Sequence, residues 1–289
     1  VIRRIFIFGP GYVGLALARR MRARGVTVMA TARAAEQRAA LREAGIRPVD
    51  PAKPGEVAAA LAEPDAILIT AAPTEAGCPA LAALAEPLAR ARRPEWIGYL
   101  STTGVYGDRG GGWVNEWSAL TPISEPGRRR VAAEDGWRAL GAATGAPVHV
   151  FRLPGIYGPG RSAFDRLREG TARRIVRPGQ VFSRIHRDDI VSALEASIAR
   201  GGAGLTLNLC DDEPGPPQDV IAHAAGLMGI DPPPEVAFEE AQITGAGRRF
   251  FEESKRVSNA RAKAALGWRP AFPSYREGLA AVWAGDGKG

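Results

Sequence analysis

The tightest constraint on this chain is a strand that runs into a glycine-rich turn and out into a helix within its first 25 residues. Residues 2–8 are an apolar, β-rich run. Residues 12–24 carry Val13, Leu15, Leu17 and Met21 between arginines and stop at Gly25, which predicts a helix. Between them lies Gly9-Pro10-Gly11-Tyr12-Val13-Gly14, a Gly-x-Gly-x-x-Gly. That spacing is weak alone, but a strand before it and a helix after it make it a dinucleotide-binding turn. Gly9 permits the tight turn, Gly11 lets backbone approach a pyrophosphate, and Gly14 lets helix and strand pack closely. The helix's free amides and dipole then favour the anion. The plain alternative is a glycine-rich turn with no ligand.

The rest of the first half repeats the alternation. Strands are predicted at 26–30, 46–49, 66–70, 96–100 and 148–153, and helices at 34–44, 55–62, 79–92 and 124–143. Strand–helix alternation implies right-handed crossovers and a parallel sheet. The expected fold class is therefore α/β, a doubly wound, Rossmann-like parallel sheet with a smaller C-terminal substrate lobe. Proline and glycine become frequent after about residue 154, with short helices expected near 188–200, 217–228, 258–266 and 274–284. The expected division is a dinucleotide-binding domain over 1–155 and a substrate lobe drawn mainly from 156–289, some of whose segments return to the sheet.

Composition narrows the function classes. With 45% apolar and 24% charged residues the chain reads as globular, and disorder is excluded. No apolar run reaches the ~18 residues of a membrane helix. The short apolar start running into glycines predicts no secretory leader, hence a cytoplasmic protein. Cys78 and Cys210 stand alone, and the three histidines fall in separate segments, so neither a disulfide framework nor a zinc site is expected. The net charge of +7 favours anionic partners. The basic residues are scattered: Arg19-Arg20 and Arg128-Arg129-Arg130 read as solvated helix faces, and no nucleic-acid motif accompanies them. A small-molecule substrate is the expected partner, with no nucleic acid, no membrane and the oligomeric state open.

The end of the second strand bears on the nucleotide. An NAD site places Asp or Glu about 20 residues beyond the glycines, on the ribose hydroxyls. Here Thr31-Ala32-Arg33 occupies that place, with no acid before Glu36. An acid repels a 2′-phosphate and a guanidinium pairs with it, so NADP(H) is favoured over NAD(H). Asp50, ending the third strand, is a candidate acceptor for the adenine amino group or simply a turn residue before Pro51.

Several further motifs, in order along nearly the whole chain, resemble the extended short-chain dehydrogenase/reductases, the NAD(P)-dependent epimerase/dehydratase-like group. Ala71-Ala72-Pro73 matches its fourth-strand motif, and Ser101-Thr102-Thr103-Gly104-Val105-Tyr106-Gly107 is similar to its Ser-Ser-x-x-Val-Tyr-Gly. Arg152-Leu153-Pro154-Gly155-Ile156-Tyr157-Gly158-Pro159-Gly160, Arg184-Ile185-His186-Arg187-Asp188-Asp189 and Leu266-Gly267-Trp268-Arg269-Pro270 resemble its later signatures. The resemblance implies cofactor contacts from Gly9, Gly11, Tyr12, Val13, Gly14, Arg33, Asp50, Ala71, Ala72, Pro73, Arg130 and Pro154, and substrate contacts from Thr103 and Arg184.

The catalytic pair departs from that family. Members use Tyr-x-x-x-Lys on one helix face, the lysine lowering the tyrosine pKa so that the phenol exchanges protons with substrate. Pro126 occupies the tyrosine position here and Arg130 the lysine position, and no lysine occurs between Lys53 and Lys255. Arg130 can orient the nicotinamide ribose but stays protonated, so it is no relay. Thr102 matches the residue that hydrogen-bonds the reacting oxygen, although a strand-end threonine is equally a structural residue. Tyr106 is the candidate surrogate acid or else a packed aromatic, and His186 a substrate contact or a core histidine. Asp188 or Asp189 fits a cap on the following helix. These residues and the resemblance together imply an atypical NADP(H)-binding oxidoreductase or epimerase-like enzyme on a polar substrate, with a nucleotide sugar as one candidate. The alternative is a non-catalytic NADP(H)-binding regulator or scaffold.

Overall fold

The computed structural model describes residues 2–62, 64–243 and 245–286. The first 102 residues alternate as β1 (Arg4–Phe8), α1 (Tyr12–Ala23), β2 (Thr27–Thr31), α2 (Ala35–Glu43), β3 (Arg47–Val49), α3 (Pro54–Leu61), β4 (Ala66–Ile69), α4 (Pro79–Arg90) and β5 (Trp96–Thr102). A 3-10 turn (Thr103–Tyr106), β6 (Trp113–Val114), α5 (Glu125–Thr144) and β7 (Val148–Leu153) follow. The remainder is β8 (Gly155–Tyr157), α6 (Ala163–Arg168), β9 (Arg174–Val176), β10 (Arg184–His186), α7 (Arg187–Arg200), β11 (Thr206–Asn208), α8 (Pro217–Met228), β12 (Glu235–Ala237), α9 (Gly245–Phe250), β13 (Arg256–Val257), α10 (Ala260–Leu266) and α11 (Tyr275–Asp286).

The chain divides into two compact units. The first holds residues 1–102, 125–152 and 191–207. Its framework is a seven-stranded parallel sheet in the order β11-β7-β5-β4-β1-β2-β3. Order reverses between β1 and β4, where chains leave to opposite sides and open a crevice at the strands' carboxyl ends. Central strands of such a sheet are buried on both faces, which is why β1 and β4 read as unbroken apolar runs. Phe6, Phe8, Ile67, Ile69, Ile97 and Tyr99 turn to one face and cluster with α3, α4 and α5. Ile7 turns to the other, against α1, whose buried stripe is Val13, Gly14, Leu17, Ala18 and Met21. His149 is wholly buried in β7, stacked between Trp96 and Phe151 with ring centroids 5.8 and 6.3 Å away.

One buried ionic network ties this unit together. The Glu134 carboxylate of α5 accepts hydrogen bonds from the Ser101 hydroxyl (2.6 Å), from Arg152 Nε (3.1 Å) and Nη2 (2.8 Å), and from Arg138 Nη2 (2.8 Å). Burial pushes this carboxyl upward, but the Arg152 guanidinium and the Ser101 hydroxyl outweigh it and hold the group below its ordinary value.

The second unit holds residues 103–124, 153–190 and 208–289. It contains three two-stranded parallel pairs, β10-β8, β12-β9 and β13-β6. Its main core gathers Tyr157, Phe164, Ile221, Tyr275, Leu279 and Val282. Asp189 does not cap α7, which begins at Arg187. Its carboxylate instead accepts the backbone N–H groups of Ala271 (2.7 Å) and Phe272 (3.1 Å) and so pins the chain ahead of α11.

Candidate active site

The glycine turn sits at the switch point of the first unit's sheet. Gly9 has φ +78°, and a Cβ there would lie 2.8 Å from the Ala71 Cβ and 3.0 Å from the Ala71 nitrogen. Two threonines lock it: the Gly9 N–H donates to Thr31 Oγ1 (2.8 Å), and the Gly9 carbonyl accepts from the Thr70 hydroxyl and from Gly11 N–H (2.7 Å). A Cβ on Gly14 would meet Ile7 Cγ2 at 3.2 Å, so this glycine sets how closely α1 lies on the sheet. No side chain caps α1 and no acid occupies its first turn, which leaves its positive end suited to an anion.

A cavity of about 490 Å³ opens beside this turn. Gly9, Gly11, Arg33 and Ala71 line it, which brings together four of the predicted cofactor residues. Tyr12 is partly buried at the start of α1, and Val13 and Gly14 are buried beneath. Ala72 is exposed and Pro73 half-buried in the loop after β4. Asp50 has its carboxylate engaged: Oδ2 pairs with Arg38 at 3.3 Å and Oδ1 accepts from Ala52 N–H at 3.0 Å, while the adjacent Pro51 forms the cavity wall. Arg38 also donates to the Arg33 carbonyl at 2.6 Å and so fixes the backbone that presents Arg33. Arg19, read from the sequence as part of a solvated face, lines the same cavity. Its recurrence four residues after Leu15 and eight after Gly11 was the available signal.

Thr102 ends β5, two strands from β1, about 10 Å across the sheet. The helix expected to carry the acid/base pair begins at Glu125, so Pro126 falls in its first turn, where a missing N–H costs nothing. One turn on, Arg130 lies against β5: Nη1 donates to the Leu100 carbonyl (2.5 Å) and the Tyr99 hydroxyl (3.2 Å). Burial lifts the Tyr99 phenol to about 12, against the pull of the Arg130 charge, so this tyrosine holds its proton.

The other predicted residues lie in the second unit. Tyr106 is 0% exposed and its hydroxyl donates to Asn208 Oδ1 at 2.7 Å. That placement is the packed aromatic's, with the hydroxyl held by a side-chain amide. Thr103 is buried in the 3-10 turn and Pro154 is half-buried between β7 and β8. Arg184 Nη1 donates to the carbonyls of Phe182 (3.0 Å) and Gly215 (2.9 Å), and burial lowers its pKa to about 10. His186 is buried, with Nδ1 accepting the Asp188 N–H at 3.2 Å and its ring edge-on to Tyr157 and Phe272.

The switch-point turn is thus intact, and a family model described as NAD dependent epimerase/dehydratase family matches residues 5–210. The chain belongs to that family. Its members bind NAD(P), which accords with the locked turn and the uncapped helix. A protein of Silicibacter pomeroyi described as functionally unknown is 46% identical, over 98% of this chain and 99% of that one, with a TM-score of 0.88. A Streptomyces protein described as a 3-diazoavenalumate denitrifying reductase is 31% identical over 169 residues, 51% of this chain and 54% of that protein, so the match spans about half of that relative's length. MoeE5, solved with UDP-glucose and NAD, is 20% identical over 99% of this chain and 100% of that one, with a TM-score of 0.78, and shares the fold. Among the described residues no helix is long and apolar enough to cross a membrane.

Proposed function

We propose that this chain is an NADP(H)-binding oxidoreductase or epimerase-like enzyme acting in the cytoplasm on a polar small molecule. The observation that carries the reading is the end of β2 facing a locked glycine turn: Arg33 lines the cavity there, and the cavity wall holds no carboxylate. Backbone at Gly9, Gly11 and Gly14 holds the pyrophosphate, and Arg33 meets the ribose 2′-phosphate. The loop of Ala71, Ala72 and Pro73, together with Pro154, borders the cofactor, and Arg130 orients the nicotinamide ribose from α5. The Thr102 hydroxyl holds the reacting oxygen, and Thr103 and Arg184 contact substrate. The bound nicotinamide supplies hydride transfer. Pro126 has no proton to give and Arg130 keeps its own, so the proton comes from water. That MoeE5 was solved with UDP-glucose supports a nucleotide sugar as the substrate class, and the Streptomyces relative's description supports reductase chemistry.

A second reading, a non-catalytic NADP(H)-binding regulator, gains support from one observation. Tyr106, the candidate surrogate acid, is buried with its hydroxyl donating to Asn208. One assay separates the two. The purified chain is incubated with NADPH or NADP⁺ and a panel of carbonyl compounds and UDP- and dTDP-sugars. Nicotinamide absorbance is followed, and sugars are resolved by chromatography. The enzyme reading expects slow turnover, since a missing general acid costs roughly 10²–10⁴-fold, and expects Thr102→Val to abolish it with NADPH affinity unchanged. Full turnover in Thr102→Val removes Thr102 from the mechanism, and no turnover with any substrate leaves the regulator.

A further inference from the structure

Gly11, Leu15 and Arg19 recur every four residues along α1, and all three line the cavity beside the glycine turn. Eight residues of helix place the Arg19 backbone about 12 Å from Gly11. Helical side chains lean toward the N-terminus, which from Arg19 is the direction of the turn. Arg33, just past the end of β2, and Gln37 of α2 line the same cavity.

Three nearby arginines are neutralised: Arg20 and Arg24 both pair with Glu195 at 3.0 Å, and Arg38 pairs with Asp50. Arg19 and Arg33 are exposed, and among the described residues neither guanidinium has an ion-pair partner. Like charges sharing one cavity without an acid between them repel each other, and a polyanion relieves that repulsion.

We propose that Arg19 and Arg33 form a two-guanidinium clamp for a ribose 2′-phosphate, with α1 supplying the second cation. The inference rests on the NADP(H) reading and goes beyond it by placing a specificity determinant on α1, two turns past the glycine motif. A phosphate monoester offers three outer oxygens, enough for a fork from each side, and both bonds are charge-assisted.

Calorimetric titration of the full chain with adenosine 2′,5′-bisphosphate and with 5′-AMP tests it. The wild type should bind the bisphosphate far more tightly than AMP. Arg19→Gln and Arg33→Gln should each cut bisphosphate affinity roughly 10–100-fold while leaving AMP affinity unchanged. Arg19 is exposed, so R19Q should melt with the wild type, and the AMP titration confirms an intact site. Full bisphosphate preference in R19Q, with that preference lost in R33Q, would overturn the clamp and leave the NADP(H) reading standing. No preference in the wild type would overturn both.

Discussion

Each unit of the molecule buries a carboxylate, and the two behave oppositely. In the first unit both oxygens of Glu134 are satisfied by two arginines and a serine, and the group stays ionised. In the second, Asp211 Oδ2 accepts the Tyr157 hydroxyl at 3.1 Å, while Oδ1 has no hydrogen-bond partner among the described residues. Burial pushes Asp211 up to about 7, with the Asp189 charge adding to it. The degree of burial is similar, so the donors decide the direction. The first unit has a fixed ionic clamp beneath the strand that ends in Thr102, and the second has an acid that titrates near neutrality.

The comparison breaks most visibly at Glu134. Glu134→Ala leaves Arg152 buried without its partner and should cost about 3–5 kcal/mol in urea unfolding. Replacing both partners together with Leu and Met should cost much less. Equal losses would mean that volume, not charge pairing, holds α5 to the sheet.

Asp211 gives a few kcal/mol, with the sign set by its raised pKa. Its stabilising contribution is full below about pH 3.8, the ordinary aspartate value, and is lost as pH rises through about 7. Denaturant unfolding across pH 4–8 should show the wild type weakening by roughly 2–4 kcal/mol. Asp211→Asn should remove most of that slope and keep a residue from Asp189, which burial raises to about 6. An unchanged slope in Asp211→Asn would assign the titration elsewhere.

The smallest effect is expected at His149, which sharpens the contrast by running the other way. Both its ring nitrogens lack partners among the described residues, and burial lowers its pKa to about 4. Its contribution is full above about pH 6.5 and is lost as pH falls through about 4. His149→Leu should stabilise the chain by about 1–2 kcal/mol at neutral pH and flatten that acid limb, read by thermal unfolding at pH 4, 5 and 7.

Local signals made much of this legible. The apolar run at 2–8 located β1 to within two residues, and the apolar spacing after the glycines set α1 to within one, because that spacing records which face is buried. The glycine motif located the cofactor turn, because positive φ at Gly9 and close packing at Gly14 are backbone demands written in residue type. Pairings over long separations were not legible: β8 with β10, or Asp189 with the backbone of residues 271 and 272. Motif position identified Tyr106 but not its burial, since Asn208 lies 102 residues away. Arg19 and Arg20 look alike in sequence, and only the helix geometry sends one to Glu195 and the other to the cavity.

The sheet order has a consequence for biosynthesis. β11, from residues 206–208, covers the outer edge of β7, which ends at residue 153. A ribosome adding roughly 5–20 residues per second takes about 3–10 s to supply the missing strand. During that interval the nascent sheet carries an open, apolar β7 edge, the kind of template on which neighbouring nascent chains pair. Slower translation between residues 153 and 206 lengthens that exposure and should lower the folded yield.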